Sequence, residues 1–176
     1  MPTVPLTRTA VAGEVVLASH FNSHIRDVLN YLLAVPIFKG RQTVTQSIPN
    51  NAHTALLIDA EDEDSVGGHS TVSATSRYVL QYPGWYQPSG AYSFTANATG
   101  ARGSYFAKNG TPINASNTLG PTVSGSAYQA PTRTDMVFGN IGDYVELFVY
   151  QNSGAALLTA VTAQEQASFI MRWIRN

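Results

Sequence analysis

The sequence predicts a mainly β chain, an antiparallel two-sheet jelly-roll sandwich preceded by an N-terminal arm and one short α-helix. Three observations support this prediction. Apolar residues follow a helical period before Pro36, short runs rich in Val, Tyr, Phe and Thr follow it, and Gly, Pro and Asn clusters separate those runs. The length of 176 residues suits one domain, since domains usually contain about 100–200 residues.

The helix is predicted between Ser19 and Leu33. Its apolar residues recur at helical spacing, and Ser19 and Pro36 suit its two ends as an N-cap and a helix breaker. A helix of about 15 residues is marginally stable alone in water, so its apolar stripe must be covered, either by its own domain or by other copies of the chain. The residues of the stripe are Phe21, Ile25, Val28 and Leu32.

Eight or nine strands are predicted after Pro36, a number typical of a sandwich or jelly roll. Turn signals such as Asn109-Gly110 separate the strands. The predicted strands are Ile37–Val44, Ala55–Ile58, Arg77–Gln81, Trp85–Ala96, Gly103–Lys108, Ser126–Phe138, Tyr144–Tyr150, Ala156–Val161 and Ser168–Ile174.

The predicted strands Tyr144–Tyr150 and Ser168–Ile174 are apolar on both faces. A strand of an antiparallel sandwich usually has one solvated face, and a monomer would here expose more aromatic surface than soluble proteins usually tolerate. We therefore predict an oligomer interface; the alternative is a strand buried at the centre of an unusually closed sandwich. The predicted interface residues are Tyr144, Phe148 and Tyr150.

The composition excludes several classes of partner. Only 12% of residues are charged, and 10 Lys and Arg stand against 11 Asp and Glu, so no basic surface favours nucleic acid. No apolar run approaches the roughly 20 residues of a membrane helix, and Glu14 interrupts the apolar stretch that a secretion signal would need. We expect neither nucleic-acid binding nor membrane insertion. The absence of Cys excludes a disulfide scaffold.

Five of the eleven acidic residues lie between Asp59 and Asp64. Several carboxylates on a flexible loop suit Ca²⁺, but the spacing of an EF-hand is absent. We predict a solvated loop with no metal and no cofactor. The alternative is a cation site formed by Asp59, Glu61, Asp62 and Asp64.

No catalytic motif is recognisable. The string nearest to a nucleophile elbow, Gly68–Val72, lacks its final Gly, and no P-loop or dinucleotide motif occurs. We expect no catalytic residues and no enzyme. A pair of carboxylates brought together in space, as in glycoside hydrolases, stays open.

Several segments together resemble the trimeric jelly roll of complement globular heads and tumour-necrosis-factor-like ligands. Their amino-acid sequences are similar to bacteriophage versions of that fold. A shorter match resembles the N-terminal anchor of minor tail and fibre-like proteins of actinobacterial phages; its residues are 12–16 and 22–33. The segments of the longer match are Gly84–Tyr86, Tyr92–Arg102, Lys108–Gly110, Gly142–Leu147 and Tyr150–Gly154.

The resemblance implies a homotrimeric virion protein of the minor tail or fibre type. Residues 1–36 would anchor it to other virion proteins, and residues 37–176 would form the jelly-roll head that contacts the host surface. Low charge with many Tyr, Asn, Ser and Thr suits cell-surface glycans as ligands. The alternatives are a capsid decoration protein and, third, a polysaccharide depolymerase.

Overall fold

The computed structural model describes residues 7–9, 11–122, 125–162 and 164–176. A helical segment comes first, and two packed antiparallel sheets follow it. The first residues of the predicted arm, 1–6, lie outside the described residues.

The N-cap of the helical segment lies two residues earlier than predicted. Leu17 is its N-cap and forms no side-chain hydrogen bond there, so the prediction of Ser19 as the cap is wrong. A π-helical turn, which inserts one extra residue into the helix, interrupts the segment. None of the helices in the described ranges has the length and apolar character to span a bilayer. The parts are α1 (Ala18–Phe21), the π turn (Asn22–Arg26) and α2 (Asp27–Leu33).

Fourteen strands follow, several of them short. They are β1 (Ile37–Arg41), β2 (Ser47–Ile48), β3 (Ala52–Ala55), β4 (Ala60–Asp64), β5 (Arg77–Val79), β6 (Gly84–Phe94), β7 (Ala101–Lys108), β8 (Thr111–Pro112), β9 (Thr118–Pro121), β10 (Tyr128–Thr132), β11 (Val137–Gly139), β12 (Tyr144–Gln151), β13 (Leu157–Leu158) and β14 (Ser168–Arg175).

The first sheet has the order β10-β6-β14-β1-β4, and β11 also pairs with β6. The second sheet has the order β3-β12-β7-β8, with β5 also on β12 and β9 also on β7. Strands distant in sequence are neighbours in both sheets, as in a jelly roll. The predicted antiparallel two-sheet sandwich is confirmed.

The core lies between the two sheets and follows the alternation of the strands. On β14, Phe169, Met171 and Trp173 face inward, and alternate residues of β12 face them from the second sheet. The rings of Phe106 and Phe169 stack across the sandwich with centroids 5.8 Å apart. The other face of each strand is therefore left for solvent or for partners.

The predicted turn at Asn109-Gly110 is confirmed. Both residues have positive φ angles, 51° and 76°, as a two-residue turn between antiparallel strands requires. Asp143 reinforces this turn, because its carboxylate accepts a hydrogen bond from Asn109 Nδ2 at 2.7 Å. The Asn-Gly pair therefore ends β7 and begins β8.

Three of the predicted strands differ from the structure. The strand predicted over Ala55–Ile58 lies three residues earlier, as β3, because Ala52–Ala55 are the residues that pair with β12. Residues 126–138 form β10 and β11, because Pro88 of β6 presents to that edge a carbonyl but no N–H group. The carbonyl accepts a hydrogen bond from Asp135 N at 3.3 Å, and the ladder is interrupted there. The predicted strand over 156–161 is reduced to β13, which pairs with β2.

The acidic run is a further difference. The sequence predicts a loop, but residues 60–64 form β4, an edge strand paired with β1. The prediction is wrong because β1 carries Lys39 and Arg41, whose side chains lie 3.0 and 2.8 Å from the Asp62 carboxylate. Opposite charges on neighbouring strands stabilise the pairing, and exposed carboxylates protect the edge from pairing with other chains.

Candidate interaction surfaces

Four aromatic rings form a continuous patch on the outer face of the second sheet, which we call the aromatic surface: His53, Tyr105, Phe148 and Tyr150. Tyr105 and Phe148 are paired across β7 and β12, and their rings stack with centroids 5.2 Å apart and planes 2° from parallel. The centroid of the His53 ring lies 5.0 Å from that of Tyr105 and 4.9 Å from that of Tyr150. Tyr105, Phe148 and Tyr150 are half-buried, because the rings cover one another.

Polar groups border the aromatic surface. The Tyr150 hydroxyl donates a hydrogen bond to Asn51 Oδ1 at 2.6 Å. Loss of hydration raises the pKa of the Tyr105 phenol, so this hydroxyl stays protonated at neutral pH and is able to donate. Rings next to amide and hydroxyl groups suit a neutral ligand with both apolar and hydroxyl-bearing faces.

Tyr144 is separated from Phe148 and Tyr150 on the same strand. The guanidinium of Arg77 lies 4.1 Å from the centroid of the Tyr144 ring, and its Nε donates to Glu146 at 3.3 Å. The structure contains one chain, so the prediction that Tyr144, Phe148 and Tyr150 form a trimer interface stays a prediction. All three rings are half-covered by side chains of their own chain.

The outer face of the first sheet is less well covered, and we call it the open face. Ile37, Phe138 and Ile174 are 39%, 43% and 44% exposed. Ile170 lies at its centre, paired with Lys39 on one side and with Ser89 on the other. The alternation of the last predicted strand indicates this second apolar face, but the sequence does not show that neighbouring strands extend it.

The predicted helical stripe is largely exposed. Phe21, Ile25 and Leu32 are 56%, 44% and 61% exposed, while Val28 is half-buried. The apolar residue of the helical segment that packs against the core is Tyr31, whose ring lies 5.3 Å from Tyr82. The stripe therefore exists as predicted, but its own domain does not cover it in the described structure.

The segment before the helix folds back onto it. Arg8 forms an ion pair with Glu14 and lies with its Nη1 2.6 Å from His20 Nδ1. Between this segment and the helix is a pocket of about 350 Å³, lined in part by Phe21 and Ile25 of the stripe. Apolar side chains of the helix are thus accessible at a concave surface.

The candidate metal ligands have separate partners. Asp62 accepts hydrogen bonds from Arg41 and Lys39, which hold the pKa of its carboxyl below the usual range. Asp64 accepts from backbone N–H groups of the following turn, including His69 N at 2.8 Å, and Glu61 lies 2.7 Å from His69 Nδ1. In the described part of the chain, no group of three metal-ligating side chains is brought together.

Asp59, the remaining candidate ligand, is held by Thr43. Burial raises the pKa of its carboxyl, but hydrogen bonds from the Thr43 hydroxyl and backbone N–H outweigh that effect and leave the pKa below the usual range. The carboxylates of Asp59, Glu61, Asp62 and Asp64 thus face four different sets of partners and do not form one ligand set.

No family model matches the chain, and no curated protein matches it. Solved structures do. A crystal structure of murine APRIL at pH 8.5 has a TM-score of 0.57 at 9% identity, over 78% of this chain and 98% of that one. The structure of Eiger TNF from S. frugiperda has a TM-score of 0.53 at 9% identity, over 80% of this chain and 92% of that one. The chain therefore has the tumour-necrosis-factor-like jelly-roll fold that its sequence resembles.

Proposed function

We propose that this chain is a homotrimeric phage virion protein of the minor tail or fibre type. Residues 1–36 attach it to other virion proteins, and the jelly-roll head of residues 37–176 projects toward the host. The observation that carries the proposal is the helical stripe: Phe21, Ile25 and Leu32 are 44–61% exposed. Apolar surface of this kind marks a site of contact with another protein.

We propose that the trimer forms through the open face, in place of the interface at Tyr144, Phe148 and Tyr150 that the sequence predicts and that stays untested. Ile37, Phe138 and Ile174 are 39–44% exposed, whereas the rings of Tyr105, Phe148 and Tyr150 are half-buried because they and His53 cover one another. Packing three copies around Ile170 would remove this apolar area from water. Each Å² of apolar surface buried in this way would stabilise the trimer by about 25 cal/mol. The open face therefore has more to gain from association than the aromatic surface.

This arrangement leaves the aromatic surface free for the host. The stacked pair of Tyr105 and Phe148, with Asn51 at its border, suits cell-surface glycans, because aromatic faces contact sugar rings and amides bind their hydroxyl groups. The fold alone does not indicate a glycan ligand, since one fold serves many functions. The chemistry of the aromatic surface is what supports glycan binding.

Antibody labelling of purified particles tests the proposal, using the phage whose genome encodes the chain. Gold particles at the tail tip or along the fibres are expected. Labelling of the capsid would instead establish the decoration protein, and no labelling would overturn the virion assignment. A polysaccharide-release assay on host cell walls separates the third alternative, because a depolymerase would release soluble fragments.

The anchor is tested by incorporation of variants into particles. Phe21→Asp with Ile25→Asp places charges in the stripe and should abolish incorporation without altering the mass of the trimer. Val72→Asp is the matched control, because Val72 is 90% exposed in the connection between β4 and β5 and lies outside the stripe. Residues 37–176 alone should likewise fold and fail to incorporate. Normal incorporation of the double variant would show that the head itself is the docking surface.

A further inference from the structure

The turn between β7 and β8 contains the one Asn-Gly pair of the sequence, Asn109-Gly110. Both residues are exposed to solvent. The side chain of Asn109 nevertheless reaches across to the start of β12, where its Nδ2 donates a hydrogen bond to Asp143 Oδ1 at 2.7 Å and its Oδ1 accepts one from Tyr144 N at 2.8 Å. Both polar atoms of this carboxamide are therefore engaged by the neighbouring strand.

An Asn-Gly pair has a chemical reactivity that other pairs show more weakly, because glycine has no side chain to hinder the approach of its backbone nitrogen. After solvent base removes the proton of that nitrogen, it attacks Cγ of the asparagine. The Cγ–Nδ2 bond breaks, and Nδ2 takes a proton from solvent and leaves as ammonia. Water then opens the cyclic imide. Cleavage at Cγ gives aspartate, and cleavage at the main-chain carbonyl gives isoaspartate.

We propose that Asn109 is a deamidation site, and that Asp143 and the backbone N–H of Tyr144 protect it while the head is folded. The reaction requires Cγ to move onto Gly110 N and Nδ2 to leave, and both movements break the hydrogen bonds to β12. It therefore starts from the minor population in which the turn has opened locally. Two hydrogen bonds, one of them to a carboxylate, should slow it at least about thirtyfold.

The protecting carboxylate is itself fixed in place. Asp143 Oδ2 accepts a hydrogen bond from Asn140 N at 2.9 Å, and Lys108 Nζ lies 3.5 Å from the same oxygen. Hydrogen bonds from Asn140 N and from Asn109 hold the pKa of the Asp143 carboxyl below its usual range, so the group is ionised at neutral pH. The backbone of the turn is tied to β12 as well, because Asn109 N donates to the Tyr144 carbonyl at 2.9 Å.

Deamidation would remove the contacts that protect the turn. Either product carries a carboxylate oxygen in place of Nδ2, which lies 2.7 Å from Asp143 Oδ1, and two carboxylates at such a distance repel each other. Isoaspartate also lengthens the main chain by one carbon at a turn that sets the register of β7 against β8. The modification should therefore loosen the end of the second sheet at which Tyr144 lies.

The first measurement compares the full chain in its folded state with the same chain unfolded in guanidinium chloride, at one temperature and one mildly alkaline pH. Peptide mass mapping over time follows the loss of the Asn109 amide. We expect deamidation to be at least about thirtyfold slower in the folded chain. Equal rates would overturn the protection, and a stable Asn109 in the unfolded chain would overturn the site itself.

Asp143→Ala identifies the protecting group. Without the carboxylate, Nδ2 of Asn109 loses its acceptor, and deamidation of the folded chain should become about tenfold faster or more. Asp62→Ala is the matched control, because it also removes an ion-paired carboxylate, but one that binds Lys39 and Arg41 on the first sheet. Its rate should stay that of the unchanged chain. An equal or slower reaction in folded Asp143→Ala would overturn the role of Asp143.

Asn109→Asp reproduces one product and measures its effect on the fold. At about pH 7, where both carboxyl groups are ionised, this change should lower the urea midpoint of unfolding. The same change in the Asp143→Ala background should lower the midpoint less, because the opposing carboxylate is gone. Equal losses in the two backgrounds would contradict the repulsion. If Asp143→Ala failed to fold, the comparison of the folded with the unfolded chain would still decide whether the turn protects Asn109.

Discussion

The ring of Tyr31 meets the indole of Trp173 nearly edge-on, with centroids 5.2 Å apart and planes at 83°. Trp173 is itself fixed, because its Nε1 donates a hydrogen bond to the carbonyl of Pro83 at 3.1 Å. Tyr82 lies against the same tyrosine ring at 5.3 Å. The last turn of the helical segment is thus attached to the head by an aromatic cluster, while its earlier turns expose their apolar side chains.

Replacement of Tyr31 by alanine should destabilise the head moderately. Each aromatic pair contributes about 0.5–1.5 kcal/mol beyond area burial, so Tyr31→Ala should lower the free energy of unfolding by roughly 1–3 kcal/mol in urea denaturation at fixed protein concentration. Phe21→Ala is the control and should change the stability little, because Phe21 is 56% exposed. Equal effects of the two variants would refute this account of how the helix is attached.

A second prediction concerns Arg102, whose side chain is fully buried. Its guanidinium donates hydrogen bonds to the carbonyls of Asn97, Thr99 and Ala101, and no carboxylate in the described ranges pairs with it. Burial lowers its pKa, which reflects the unfavourable desolvation of the charge. Lysine would keep that buried charge with fewer well-placed donors, whereas methionine would remove the charge and keep much of the volume.

We therefore expect Arg102→Lys to destabilise the protein more than Arg102→Met does, by about 1 kcal/mol or more. Chemical denaturation of both variants provides the measurement. The reverse order would show that the hydrogen bonds to the turn between β6 and β7 outweigh the desolvation of the guanidinium.

How far the sequence predicts the fold depends on whether the relevant signal is local. The alternation in β12 and β14 is local, and it is sufficient to identify their inward faces. The pairing of β4 with β1 is not local, because the charges of Lys39 and Arg41 that favour it lie some 20 residues earlier in the chain. The acidic run taken by itself therefore has the composition of a solvated loop.

The same distinction between local and non-local signals applies to the side chains of the aromatic surface and to the contacts of the β4–β5 connection. The apolar character of Phe148 and Tyr150 is visible in the sequence, but their cover by Tyr105 and His53 requires the register of β7 and β3 against β12. The His69–Glu61 contact likewise depends on a turn that Asp64 caps. No periodicity in the sequence indicates which of these side chains meet.

A third prediction concerns acid stability and Asp143. Its carboxylate accepts hydrogen bonds from Asn140 N and Asn109 Nδ2, which hold its pKa below the usual value near 3.8. A carboxyl whose pKa is lower in the folded state contributes stability above the unfolded-state pKa, and the contribution is lost as the pH falls through the folded-state pKa. Asp143 should therefore stabilise the protein at neutral pH and cease to do so in strong acid.

Asp143→Asn should accordingly be less stable than the unchanged chain at pH 7, and the difference should shrink as the pH is lowered below about 4. Denaturation curves measured across this range test the prediction. Glu63→Gln, an exposed change on β4, should show no such pattern. A difference that stays constant down to the lowest pH would contradict the assigned role of Asp143.

A fourth prediction concerns divalent cations. Because the carboxylates of Asp59, Asp62 and Asp64 already have hydrogen-bond partners, a chelator should leave the melting temperature nearly unchanged. A structural Ca²⁺ at a hundredfold excess over its Kd would add about 2.7 kcal/mol. A large melting shift on adding EDTA, abolished by Asp62→Ala with Asp64→Ala, would establish a cation site.

The final prediction separates the two faces that compete for self-association. Ile170→Asp places a charge at the centre of the open face, and Phe148→Asp places one on the aromatic surface. If the trimer forms through the open face, the first variant should be monomeric, because burying three unpaired carboxylates together is strongly unfavourable. The second should remain a trimer with weakened binding to host cell walls.

Light scattering after size-exclusion chromatography provides the most direct test, since it measures the mass of each species in solution. We expect three times the 18.9 kDa chain mass for the unchanged protein and for Phe148→Asp, and a single chain mass for Ile170→Asp. A monodisperse monomer of the unchanged protein would contradict the trimer. A monomeric Phe148→Asp beside a trimeric Ile170→Asp would contradict the open face and place the interface on the aromatic surface instead.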